Sequence, residues 1–110
     1  MTGKLLVLTT AGSEDEARKI AHALVERQLA ACVNIVPRIH SVYRWKGKVE
    51  STEEILLIIK TTTNCGERVR TTITELHSYQ LPECVAIGID GGSEEYLRWV
   101  SESVLRDTEL

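Results

Sequence analysis

The sequence predicts an α+β fold in which a strand-helix-strand unit is made twice and a helix closes the chain. Three observations carry the prediction. Apolar runs of strand length alternate with segments whose apolar residues recur at helical spacing. A tight turn, Trp45-Lys46-Gly47-Lys48, lies between two long strand-like segments. The segments on either side of that turn follow the same order, so the turn joins two equivalent halves.

Residues 4–10 form a short, nearly continuous apolar run, the pattern of a strand buried on both faces at the centre of a sheet. Ala11-Gly12 makes a turn, and Ser13-Glu14-Asp15-Glu16 reads as a capping box that starts a helix at about Glu14. Its packing stripe is Ala17, Ile20, Ala21, Leu24 and Val25, and it fades near Gln28. From Ala31 the period becomes two. Val33, Ile35, Ile39, Tyr43 and Trp45 are expected on one face of a long strand, with Asn34, Arg38, His40 and Arg44 on the other. Pro37 cannot donate to a ladder, which predicts an edge strand bulged at that point. The return strand runs from Lys48 to about Thr61, its second half buried.

Asn64 is expected to cap a second helix whose stripe is Cys65, Val69, Ile73 and Leu76. A connection through Leu81-Pro82 leads to a fourth strand over residues 84–89. Ser93 opens the last helix, with Tyr96, Leu97, Val100 and Val104 on its packing side, and the tail from Asp107 is expected to fray. The resulting order, βαββαβ plus a C-terminal helix, is the split βαβ or ferredoxin-like arrangement, an antiparallel sheet with both main helices on one face. Residues 1–110 read as one domain.

The hairpin strands are too long for their helices. About 14 residues at roughly 3.3 Å each span about 45 Å, whereas a helix of similar residue count covers about half that. The overhang carries Val42, Tyr43, Trp45 and Val49, and an exposed apolar ribbon of that kind predicts self-association.

Composition narrows the function classes. A formal charge of −3 without a block of like charge gives no footprint for nucleic acid or an anionic membrane surface. The apolar run near the N-terminus is too short for a secretory core or a membrane span. Three cysteines, Cys32, Cys65 and Cys84, show no CxxC or CxxxC spacing, so free thiols in a reducing, cytoplasmic setting are expected. The loop after the first strand lacks the two thiolates of a soft-metal chaperone. The central strands lack the aromatics on which RNA-binding versions of this fold stack bases. No nucleophile and base stand at a recognisable spacing, so no enzymatic activity is expected.

His77 lies where the second helix ends, beside Tyr79 and Glu83, and all three can face a cleft. Taken alone, a histidine there equally serves to meet the helix dipole. Glu50, Glu53 and Glu54 could coordinate a hard cation or contact a neighbouring chain, but a charge cluster on a strand is more often a solvated face that blunts an edge, and that reading is preferred.

Leu29-Ala30-Ala31-Cys32-Val33-Asn34, Ser41-Val42-Tyr43-Arg44-Trp45-Lys46-Gly47-Lys48, Ile59-Lys60-Thr61 and His77-Ser78-Tyr79-Gln80-Leu81-Pro82-Glu83 together closely resemble the CutA family, and Tyr96-Leu97-Arg98-Trp99 continues the likeness. The resemblance implies a homotrimer built like the PII signal-transduction proteins and a role in divalent cation tolerance, with no established reaction. Some bacterial members are described as binding copper through a cysteine after the first strand and a histidine pair ending the second helix. The matching positions here are Thr9 and Leu76-His77, so one of three ligands is present.

The expected function is therefore a trimeric protein whose inter-subunit clefts hold a divalent metal ion or a small anionic ligand. Tyr43, Trp45, Lys60, Tyr79 and Glu83 are expected to line the cleft, with His77 as metal ligand. Lys60 would meet an anion, and Glu83 with His77 a cation. No cofactor is required, and Cu2+ or a similar cation is expected to bind weakly. The competing expectation is a stable trimeric platform for a partner protein, with no ligand.

Overall fold

The computed structural model describes residues 2–110. Its order is β1 (Lys4–Ala11), α1 (Glu14–Glu26), β2 (Cys32–Trp45), β3 (Lys48–Thr62), α2 (Gly66–Leu76), β4 (Val85–Ile89) and α3 (Glu94–Glu102). The four strands form one sheet in the order β2-β3-β1-β4, every pair antiparallel, as the ferredoxin-like arrangement requires. Principal extents of 43 × 25 × 22 Å reflect the β2-β3 hairpin running beyond the helices. Lys46 (φ 50°) and Gly47 (φ 80°) close that hairpin, both in the left-handed region a tight two-residue turn needs.

Pairing sorts the sheet into two faces. Val7, Thr9 and Ala11 alternate with Leu6, Leu8 and Thr10, and Ile55, Leu57, Ile59 and Thr61 alternate with Leu56, Ile58 and Lys60. The first members of each set are buried together with Ala17, Ile20 and Leu24 of α1 and with Val69 and Ile73 of α2, so both main helices cover that face. On the opposite, open face Leu6 stands between Lys60 and Ile87, and Leu8 between Ile58 and Val85. Val36 lies opposite Leu56 on the same face, and Val36, Val85 and Ile87 are exposed. There α3 packs against β3 and β1, with the Tyr96 ring 5.8 Å from Lys60 Nζ.

The bulge is where Pro37 placed it, and it corrects the expected face of the hairpin. Val36 pairs with Leu56 and Ile39 with Glu54, so Pro37 and Arg38 stand opposite Ile55 alone, with Arg38 at φ 60°. One extra residue inverts the alternation. Val33 and Ile35 therefore point toward the helices, whereas Ile39, Tyr43 and Trp45 lie on the open face with Glu54.

Four smaller expectations are also corrected. Asn64 does not cap α2; Thr63–Cys65 forms a single 3₁₀ turn leading into it, with no side-chain cap. Tyr96 is exposed, leaving Val100 and Val104 as the buried residues at that end. The tail does not fray: Asp107–Glu109 forms a 3₁₀ turn, the Arg106 amide donates to Glu109 Oε1 at 2.7 Å, and Leu110 packs on the core. The fourth strand begins at Val85, leaving Cys84 in the preceding connection. Of the three free cysteines only Cys65 is fully buried, and its thiol donates to the Leu105 carbonyl at 3.6 Å.

Candidate functional site

At the root of the overhang, where β1 has ended and β2 and β3 continue, a cleft of about 700 Å³ opens on the sheet. Tyr43 and Trp45 reach it from β2, Glu54 from β3, and Tyr79 and Glu83 from the α2-β4 connection. The bulge at Pro37–Arg38 directs the β2 aromatics there, because without it they would sit on the helix face. Tyr43, Trp45, Tyr79 and Glu83 thus line one cleft of the single chain. Lys60 does not join them, since it lies under Tyr96 against α3.

Glu54, read from the sequence as part of a solvated strand face, is instead buried at this cleft. It is 7% exposed, and its Oε2 accepts the Tyr79 hydroxyl at 2.7 Å. Tyr79 reaches it by lying across Gly12, where a Cβ would come within 3.1 Å of the phenol oxygen. Burial, then the Glu54 hydrogen bond and charge, push the Tyr79 hydroxyl well above the ordinary tyrosine range, so it remains a donor at neutral pH. Partial desolvation, then the Glu54 charge, hold the Glu83 carboxyl above the usual carboxylate range. Among the residues lining this cleft there is no lysine or arginine.

The His77 side chain is fully buried beside the cleft and does not line it. Nε2 lies 2.6 Å from the Thr10 carbonyl, which can only accept, so Nε2 carries the proton. Nδ1 then accepts the Tyr79 amide at 3.1 Å. Both ring nitrogens are engaged, and a metal would have to displace one of these bonds. Glu16, half of the expected capping box, instead turns to this corner: Oε2 accepts the Ser78 amide at 3.1 Å, and Oε1 lies 3.5 Å from His77 Nδ1. Ser13 still caps α1 through the Glu16 amide. His77 and Glu16 together shape the turn that presents Tyr79. Thr9 is buried on the helix face of β1, its hydroxyl without a partner. No three His, Cys, Asp or Glu side chains among the described residues are grouped to hold a metal ion.

The strand order, with a hairpin that outreaches its own helices, puts the chain among the ferredoxin-like α+β proteins. Comparison with known proteins is more specific. The profile of the family described as CutA1 divalent ion tolerance protein matches residues 5–103. The divalent-cation tolerance protein CutA of Thermus thermophilus is 50% identical over 98 residues, which are 89% of this chain and 95% of that protein. A CutA homolog of Danio rerio is 42% identical over 99 residues, 90% of this chain but 66% of the fish protein. The human protein is matched over 52% of its length, so the chain spans about half of that relative. Among solved structures, the divalent cation tolerance protein of Thermus thermophilus superposes with a TM-score of 0.90 at 48% identity, covering 92% of this chain and 98% of that one. The chain belongs to the CutA family of divalent ion tolerance proteins.

Proposed function

We propose that the chain is a homotrimeric binding protein that holds a divalent cation in the cleft at the root of the hairpin, each cleft completed by a neighbouring copy. The observation that carries the reading is the wall of that cleft: Glu54 and Glu83 supply negative charge, and no lysine or arginine lines it, the nearby Lys46 ammonium standing 5.8 Å from the Trp45 ring. A cation is favoured over the anionic ligand, because Lys60, the group that would meet an anion, lies elsewhere. Carboxylate oxygens suit a hard ion held weakly. His77 then acts by placing Tyr79 and not as a ligand.

Three features support self-association. The open face carries exposed Val36, Val85 and Ile87 next to half-buried Leu6 and Leu8. The outer edges of β2 and β4 have no partner strand within the chain. The hairpin exposes Tyr43 and Trp45. A PII-like three-fold arrangement would join these edges and faces, and the free thiols suit a cytoplasmic setting. The role is binding and not catalysis. A second reading, a platform for a partner protein, draws on Val42 (70% exposed) and Val49 (67% exposed), which share the outer face of the hairpin.

Isothermal titration of metal-stripped protein with Cu2+, Zn2+ and Mn2+ tests the proposal. Saturable binding that weakens at least tenfold in Glu83→Gln is expected. Binding equal to wild type in both Glu83→Gln and Glu54→Gln would remove the cleft from consideration.

A further inference from the structure

The cleft is far larger than a bare ion requires. A metal ion bound directly needs donor oxygens converging to about 2.0–2.6 Å, and no group of three donor side chains is so arranged among the described residues. What the walls do present is aromatic surface from Tyr43, Trp45 and Tyr79 beside the carboxylates of Glu54 and Glu83, in a volume of about 700 Å³. That volume lies within the range of small-molecule sites, roughly 300–1,000 Å³.

We propose that this cleft binds a guanidinium group carried by a small organic molecule. The inference rests on the negatively charged cleft of the cation reading above and names a different occupant for it, a monovalent organic cation in place of the divalent ion. Three properties point to it. Glu54 is more than nine-tenths buried, yet its carboxylate receives a phenol hydrogen bond and, among the described residues, no basic side chain pairs with it. A buried carboxylate without a counter-charge is unfavourable until a cation supplies one. Glu83 lines the same cleft as Glu54, so a flat cation held there meets two carboxylates. A guanidinium offers five N–H donors in a plane, matches carboxylates through paired hydrogen bonds, and stacks on aromatic faces. A quaternary ammonium can use the aromatic walls but has no hydrogen to give the carboxylates. A bare divalent ion can use the carboxylates but not the walls.

The test titrates metal-stripped protein with ethylguanidinium, tetramethylammonium and Mn2+ in separate calorimetric runs, on wild type, Glu83→Gln and Glu54→Gln. Glu83 is exposed, so its variant keeps the fold; circular dichroism checks the buried Glu54 variant. Ethylguanidinium should saturate, bind at least tenfold more tightly than tetramethylammonium, lose at least tenfold in Glu83→Gln, and be displaced by Mn2+. Ethylguanidinium binding no better than tetramethylammonium, or unchanged in Glu83→Gln, overturns the inference. If Mn2+ alone binds and depends on Glu83, this inference falls while the cation reading stands. If neither binds, both fall.

Discussion

The Tyr79 hydroxyl donates to Glu54 Oε2 at 2.7 Å across the bare backbone of Gly12. This contact ties the turn after α2 to the hairpin and gives a buried carboxylate a hydrogen-bond donor. Tyr79→Phe leaves Glu54 without it, and a loss of about 1–3 kcal/mol is expected in denaturant unfolding. Gly12→Ala should act on the same contact by pushing the phenol away. The double variant should therefore lose less than the sum of the two single changes. Strict additivity would show the contact to be incidental.

Acidification should favour the cleft in metal-free protein. The folded state holds the Glu83 carboxyl above its ordinary value, so folding takes up protons as pH falls through that raised value. The contribution is fully present below the unfolded value, about 4.3, and is lost as pH rises through the folded one. Glu83→Gln should flatten this part of the stability profile. The opposite slope, with wild type losing relative stability between neutrality and pH 5, would contradict the geometry.

Assembly should depend on the ribbon and the open face. Tyr43 and Trp45 are 43% and 38% exposed, so of the roughly 150–250 Å² that an aromatic side chain buries in full each has about 100 Å² or less still to remove from water, and at about 25 cal/mol per Å² that is about 2 kcal/mol per ring as an upper estimate. Trp45→Asp and Ile87→Asp should each shift the protein toward monomer or aggregate and lower its melting temperature. Light scattering after size exclusion reads both. A wild-type mass near 12.3 kDa would refute self-association.

The cysteines should differ in their tolerance. Cys65 is fully buried and Cys32 only partly, so Cys65→Ser should cost about 1–3 kcal/mol and Cys32→Ser less. Equal costs in chemical denaturation would indicate that Cys32 becomes buried in the assembly.

Periodicity showed the elements clearly because each packing stripe is long. Ala17, Ile20 and Leu24 on α1 and Val69 and Ile73 on α2 are buried as their spacing requires. Pro37 announced the bulge, but its consequence was lost, because alternation counted straight through residues 35–39 cannot register an extra residue; the pairing of Ile39 with Glu54 does. Glu54 stayed hidden for a related reason. A glutamate beside Glu50 and Glu53 reads as a solvated strand face until a tyrosine from a distant turn covers it. His77 drew attention as a ligand, whereas its partners, the Thr10 carbonyl and the Tyr79 amide, are backbone groups that no side-chain motif reveals. The end of the chain differed because Arg106 and Glu109 form a local cap with no apolar period to mark it.

The cation-binding cleft is tested most directly by anomalous diffraction from crystals grown with Mn2+ or Cu2+. A metal peak is expected in the cleft between Glu54 and Glu83, with His77 still bonded to Thr10 and Tyr79. A peak on a His77 ring nitrogen, with the cleft empty, would contradict it.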